Sequence, residues 1–127
     1  LVKAHDTLAE LEITHMAHNL TSELSGGQSK LVDIGRALMG EPELLLLDEP
    51  VAGVAGPLAE KIFNNLRRIV SKEGISIFVI EHNMDFILRR GVDRIIVMDQ
   101  GKVLMQGTPD EVKDSKEVIE AYLGVAT

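Results

Sequence analysis

The chain has 127 residues, with 45% hydrophobic and 26% charged residues, no cysteine and a formal net charge of −7. This length suits one domain with a moderate core, and the absence of cysteine excludes disulfides and thiolate metal sites. The acidic balance argues against nucleic acid as a partner, because phosphate binding needs clustered lysine and arginine. No apolar run reaches the roughly 20 residues of a membrane span, so we expect no direct membrane insertion.

The first third of the chain predicts two helices. Residues 7–18 carry a weak helical pattern of apolar residues, and residues 26–39 carry a stronger one. Ser25 and Gln28 have the spacing of a capping box at the start of the second helix. Residues 40–42, Gly-Glu-Pro, end that helix.

The middle of the chain predicts a strand, a helix and a second strand. Residues 44–47 are four leucines, a run typical of a parallel strand buried on both faces. Pro57 suits the first position of the next helix, and Gly74 is its expected stop. Residues 75–80 form the second apolar strand. We therefore predict a parallel strand–helix–strand unit over residues 44–80.

The last third predicts short elements: a helix at 83–90, strands at 94–98 and 102–106, and a final helix at about 116–123. Asp99, Gln100 and Gly101 form a predicted three-residue hairpin loop, in which the glycine takes the left-handed conformation. Thr108 and Glu111 have the spacing of another capping box.

Two carboxylates follow the leucine strand. Ligands of parallel sheets bind beyond the carboxyl ends of the strands, which is where Asp48 and Glu49 lie. Their side chains point to opposite sides, so one can serve a metal while the other orients a nucleophile. Phosphoryl transfer needs that division of roles. The alternative is that Asp-Glu-Pro only ends a strand.

A second candidate site is the start of the helix at 26–39. Free N–H groups and the positive dipole end of a helix suit a phosphate, and Gly26 and Gly27 carry no Cβ to keep it at a distance. The alternative is that Ser25 and Gln28 only cap the helix. His82 follows the second strand and can donate to a phosphate, although an isolated histidine is more often an ordinary surface residue.

Together these segments resemble a known family. Leu24-Ser25-Gly26-Gly27-Gln28 and the leucine strand with Asp48-Glu49-Pro50 are similar to the signature motif and the Walker B segment of ATP-binding cassette (ABC) ATPases, and His82 matches their switch histidine. The resemblance implies an α/β fold: the C-terminal part of a P-loop NTPase domain, with mostly parallel strands, flanking helices and a C-terminal β-hairpin. Three segments look like the ATPase subunits of branched-chain amino acid importers: residues 49–54, 81–84 and 119–124.

The resemblance also implies cofactors and partners. Asp48 would serve Mg²⁺, Glu49 the attacking water and His82 the γ-phosphate of ATP. The signature residues Ser25, Gly26, Gly27 and Gln28 would close on ATP bound by a second ATPase subunit, which implies a head-to-tail dimer. Separate transmembrane permease subunits would place the ATPase on the cytoplasmic face of the cell membrane, where it would power transport.

The chain departs from the family in three ways. It contains no G-x-x-x-x-G-K-[ST] loop, so residues 1–127 are expected to be a C-terminal fragment of one nucleotide-binding domain, inactive alone. Strands without sheet neighbours are expected to expose apolar surface and self-associate. Ala55 replaces the aspartate of the D-loop and cannot accept its hydrogen bonds. Residues 29–31, Ser-Lys-Leu, replace a more basic run, from which we expect little consequence.

Two other functions stay open. One is the C-terminal lobe of a non-transport ABC ATPase that acts on chromosomes, DNA breaks or ribosomes, although neither heptads nor excess positive charge favours it. The other is a silent dimerisation or regulatory fragment, which the missing lysine loop and Ala55 would permit.

Overall fold

A computed structural model describes residues 1–123, in two compact units that divide after Glu81. The elements of the first unit are α1 (Val2–Glu10), 3₁₀ turns at Thr14–Met16 and Thr21–Glu23, α2 (Gly26–Leu38), β1 (Leu44–Asp48), α3 (Gly56–Glu73) and β2 (Ser76–Ile80). Those of the second unit are α4 (Met84–Leu88), β3 (Ile95–Asp99), β4 (Lys102–Gly107), α5 (Pro109–Lys113), α6 (Lys116–Val118) and a π-helical turn at Ile119–Leu123.

The predicted strand–helix–strand unit is confirmed. β1 pairs in parallel with β2, from Leu44 opposite Ser76 to Asp48 opposite Ile80. Pro57 lies in the first turn of α3, and Gly74 ends the helix in the left-handed conformation with φ of 67°.

The core of the first unit covers only one face of the β1–β2 pair. Its buried members come from the segment after α1, from α2, from β1 and from α3: Leu11, Ile13, Leu31, Ile34, Leu45, Ile62, Leu66 and Ile69. On the other face Leu44, Leu46, Phe78 and Ile80 are 54%, 67%, 48% and 54% exposed, and we call these four residues the open face. The prediction of burial on both faces is therefore wrong for this chain, because its helices pack on one side. The expected exposed apolar surface is confirmed.

The first predicted helix is wrong in position. α1 ends at Glu10 rather than continuing to residue 18, and Glu12 has a left-handed φ of 58°. The backbone turns here because α3 captures its carbonyl groups. Asn65 Nδ2 donates to the Leu11 carbonyl at 3.2 Å, and Arg68 donates to the Glu10 carbonyl. These tertiary contacts outweigh the local helical pattern.

The second unit contains the predicted antiparallel hairpin, with a shorter loop. Asp99 pairs with Lys102, so the loop has two residues, Gln100 and Gly101, with φ of 47° and 78°. Positive φ at both positions is what a tight two-residue turn needs, because it matches the twist of the strands. The predicted three-residue loop is therefore wrong, and Gly101 takes the left-handed conformation as expected.

Two other predictions concern the end of the chain. The Thr108–Glu111 capping box is confirmed, and hydrogen bonds from the Thr108 N–H and hydroxyl lower the pKa of Glu111. The final helix at 116–123 is divided into α6 and the π-helical turn. Gly124, the last residue of the importer-like segment, lies outside the described residues. No helix within residues 1–123 combines the length and apolar content needed to cross a bilayer.

Candidate functional site

The start of α2 has the geometry that its sequence predicts. Ser25 Oγ accepts from the Gln28 N–H at 3.3 Å, and the Ser25 N–H donates to Gln28 Oε1 at 2.8 Å. This reciprocal cap fixes where the helix begins. The first N–H groups of a helix have no carbonyl partner within it, so the cap leaves donors for a ligand at this end.

The two glycines at this position differ in their surroundings. A Cβ on Gly27 would lie 2.3 Å from Leu58 Cδ2 and 3.2 Å from Val54 Cγ1. A Cβ on Gly26 would meet nothing within 4 Å. Packing against α3 therefore accounts for Gly27, whereas Gly26 leaves open space at the helix N-terminus that a phosphate can occupy. From the sequence alone, the same role beside a phosphate is predicted for Gly26 and Gly27.

The carboxylates lie on a turn at residues 48–52, which we call the acidic turn. Asp48 ends β1 and is exposed, and Glu49 follows half-buried with a left-handed φ of 45°. The Glu49 N–H donates to the Ile80 carbonyl at 2.9 Å. A non-glycine residue in this conformation costs free energy and persists only where its surroundings hold it.

Two side chains that the sequence analysis did not single out as functional hold the acidic turn. Lys30 Nζ, from α2, donates to the Glu49 carbonyl at 2.9 Å. Glu81 Oε1 accepts from the Val51 N–H at 3.3 Å. A side chain that reaches a backbone group leaves no residue pattern in a sequence. The Lys30 contact brings α2 and the acidic turn together. The expectation that residues 29–31 have little consequence stays a prediction.

His82 is the first residue of the second unit and is exposed. It lines a surface depression of about 300 Å³ together with Asp85 and Tyr122. The adjacent Asn83 caps α4, with its Oδ1 accepting from the Phe86 N–H at 3.0 Å. The role of His82 toward a phosphate stays a prediction.

The described residues offer carboxylate oxygen rather than a closed metal cage. Nowhere in residues 1–123 do three histidine or acidic side chains converge to hold a metal ion. Mg²⁺ usually takes one or two carboxylates and completes its shell with phosphate oxygens and water. The exposed Asp48 carboxylate can supply one oxygen ligand to an ion of that kind.

A cleft of about 560 Å³ lies at the opposite edge of the strands, near the start of β1 and the end of α3. Its lysines are engaged, because Lys3 pairs with Glu41, and Lys72 pairs with Glu10 and Glu73. The Lys3 hydrogen bond lowers the pKa of Glu41. The cleft lies at the end of the strands opposite to the acidic turn. The Lys3–Glu41 and Lys72–Glu10 pairs join α1 to neighbouring segments.

Two family descriptions match parts of the chain. Residues 2–52 match the family described as ABC transporter. Residues 102–127 match the family described as branched-chain amino acid ATP-binding cassette transporter. The first match contains the start of α2 and the acidic turn.

Named relatives and solved structures extend these matches. Over 126 residues the chain is 41% identical to the probable branched-chain amino acid transport ATP-binding protein LivG of Methanocaldococcus jannaschii, covering 96% of this chain and 48% of that protein. It is 36% identical over 126 residues to the lipopolysaccharide export system ATP-binding protein LptB of Haemophilus influenzae, covering 96% and 50%. A crystal structure titled as the ADP conformation of an ATP-binding cassette of an ABC transporter has a TM-score of 0.85 and 40% identity, covering 97% of this chain and 49% of that one. The chain therefore spans about half the length of the relatives it matches.

Proposed function

The chain belongs to the ATP-binding domains of ABC transporters, and from that membership we propose that it forms part of an ATPase that powers branched-chain amino acid import. One observation carries the proposal. Through Lys30, the glycine-flanked start of α2 and the acidic turn belong to one connected arrangement. The acidic turn can orient water at one ATP, and the start of α2 can face the phosphates of another, so the contact connects two half-sites.

In the proposed reaction the acidic turn serves the ATP of its own subunit. The exposed Asp48 holds Mg²⁺, which neutralises charge between phosphates when it is bound. Glu49 accepts a hydrogen bond from the attacking water and so orients it. The hydrogen bonds of the Glu49 N–H and of the Glu49 carbonyl fix the backbone that carries this carboxylate. A fixed acceptor needs less reorganisation during the reaction.

The start of α2 serves a different ATP, bound by a second ATPase subunit in a head-to-tail dimer. Gly26 leaves the space, the helix dipole supplies the positive field, and Ser25 and Gln28 hold the first turn in place. His82 donates a hydrogen bond to the γ-phosphate. Residues outside this chain supply the loop that cradles the phosphates, so the chain alone binds ATP weakly and does not hydrolyse it.

Permease subunits complete the proposed transporter and place the ATPase at the cytoplasmic face of the membrane. The names of the LivG relatives, branched-chain amino acid transport ATP-binding proteins, support amino acids as the class of transported solute. Lipopolysaccharide export is the second candidate, supported by the LptB relative at 36% identity.

A chimera tests the ATPase proposal. This chain would replace the matched 126-residue segment of the Methanocaldococcus relative, with Glu49→Gln as the matched variant. We expect the chimera to hydrolyse Mg·ATP. The variant should bind nucleotide with similar affinity, while its turnover falls by about 10²-fold or more, because it loses a transition-state interaction only.

Two outcomes count against the proposal. A folded chimera that binds ATP without turnover would favour the silent fragment. Equal turnover in the chimera and its Glu49→Gln variant would remove Glu49 from the reaction. Growth complementation of strains that lack their own branched-chain amino acid ATPase or lipopolysaccharide export ATPase then separates the two transport candidates.

A further inference from the structure

We propose that Lys30 is a positioning residue: by holding the Glu49 carbonyl, it sets the orientation of the acidic turn from the helix that carries the signature motif. The catalytic part of this inference rests on the proposed function. The structural part, that Lys30 holds the turn, stands on contacts within the first unit.

The Glu49 carbonyl is held from two directions. It accepts from the Ala52 N–H at 3.1 Å, which closes a four-residue turn, and from Lys30 Nζ at 2.9 Å. A carbonyl oxygen has two lone pairs, so these two donors define its direction. Pro50, the next residue, has no N–H and a fixed φ, so the peptide after Glu49 has little freedom of its own.

The conformation of Glu49 needs such support. Its φ of 45° lies in the left-handed region, which is unfavourable for a residue with a Cβ. The Ile80 carbonyl holds the N–H side of the residue, and Lys30 holds the carbonyl side. A hydrogen bond from an ammonium group is stronger than one between neutral groups, and this one is partly buried.

Because Lys30 lies in α2, its contact connects the acidic turn to the helix that begins at the signature residues. Lys30 lies in α2 within about a turn and a half of Ser25, whose cap fixes the start of that helix. One subunit thus presents the signature residues to its partner's ATP and the acidic turn to its own. Lys30 joins these two half-sites through about one and a half helix turns and one hydrogen bond.

Hydrogen exchange in the 127-residue chain tests the contact without any nucleotide. The Ala52 N–H reports opening of the turn, because its acceptor is the Glu49 carbonyl. In Lys30→Met we expect exchange at Ala52 to accelerate about tenfold, since a charge-assisted hydrogen bond is lost. Methionine is close to lysine in length and helix propensity. The N–H of Leu66, in the core of the first unit, reports global opening and should exchange at its original rate.

Two matched variants make this test specific. Lys30→Arg keeps a cationic donor and should keep exchange at Ala52 within about threefold of the original rate. Arg36→Met removes an exposed cation from the same helix and should leave Ala52 unchanged. Unchanged exchange at Ala52 in Lys30→Met would overturn the inference. Faster exchange at both Ala52 and Leu66 would also overturn it, because Lys30 would then act through global stability.

Turnover in the chimera tests the catalytic part. Lys30→Met should lower kcat about tenfold with KM for ATP within about twofold, and Lys30→Arg should recover most of kcat. Faster exchange at Ala52 with unchanged kcat would overturn the positioning role. A chimera without turnover in its unsubstituted form would count against the proposed function, and the exchange result would still decide whether Lys30 holds the turn.

Discussion

The two faces of the β1–β2 pair carry the same kinds of residue and yet differ in burial. Leu45 lies in the core, whereas its neighbours Leu44 and Leu46 on the open face are more than half exposed. Side chains alternate along a strand, so position in the alternation, rather than residue type, decides which leucine stabilises this chain. A continuous apolar run suits a strand that is covered on both faces. In this chain the described residues cover only one face of β1.

The largest expected difference in stability is between two leucine variants of β1. Leu45→Ala should lower the free energy of unfolding by about 2–5 kcal/mol, because it removes buried methyl groups and leaves a cavity. Leu46→Ala should change it by about 0.5 kcal/mol or less, because that side chain is already solvated. Denaturant unfolding of both variants measures the difference. Equal costs would mean that the open face is covered in solution.

The same contrast extends to α3, where Asn64 is exposed and Asn65 is buried. Asn65→Ala should cost about 1–3 kcal/mol, because the Leu11 carbonyl loses its donor and stays buried. Asn64→Ala should be close to neutral. Thermal and denaturant unfolding compare the two, and a similar cost for both would contradict the capture of the residue 10–12 backbone by α3.

The open face also predicts self-association of the chain. Leu46→Lys should weaken association about tenfold, because a charge replaces exposed apolar surface in the contact. Asn64→Lys adds the same charge away from that face and serves as the control. Sedimentation velocity over a concentration series measures both. If the unsubstituted chain is monomeric, the predicted self-association is wrong. If both variants weaken association equally, the cause is a general effect of charge and not the open face.

A smaller effect is expected where α3 begins. Ala55 is the N-cap of α3 and provides no side-chain hydrogen bond. Ala55→Asp should raise the free energy of unfolding by about 1 kcal/mol, because an aspartate at this position accepts from the first turn. Ala55→Asn is the uncharged comparison and should stabilise by a similar amount. A loss of stability in both would mean that the backbone at residue 55 disfavours a cap.

The smallest expected effect concerns pH at the rim of the core. Hydrogen bonds from Lys61 and Arg68 lower the pKa of Glu12 below its usual 4.5. A lowered pKa stabilises the fold above pH 4.5, and this contribution is lost as pH falls through the depressed value. Between pH 6 and pH 3 the urea midpoint should therefore fall less in Glu12→Gln than in the original chain. Parallel pH profiles would contradict this.

Features set by neighbouring residues could be predicted from the sequence. The Ser25–Gln28 cap, the proline that opens α3 and the left-handed Gly74 all depend on residues within one turn of each other. The candidate site residues could be named for the same reason, since the glycine-flanked helix start and the carboxylates after β1 are contiguous motifs. Their roles remain proposals.

Features set by distant residues could not be predicted. α1 ends where Asn65, 54 positions away from Leu11, takes a backbone carbonyl. Lys30 reaches a carbonyl 19 residues away, and backbone groups are identical at every position of a sequence. The difference between Gly26 and Gly27 depends on Leu58 in α3. The one-sided burial of β1 depends on which elements are present to cover it.

The crossover between β1 and β2 has a consequence for synthesis on the ribosome. The β3–β4 hairpin closes over two residues and forms within microseconds once it is made. β1 has no strand partner in this unit until residues 49–75 and β2 have been added. At about 5–20 residues per second, some 30 residues take roughly 2–6 seconds. β1 therefore leaves the ribosome that much earlier than β2, and in this interval its four consecutive leucines are available to chaperones and to neighbouring nascent chains.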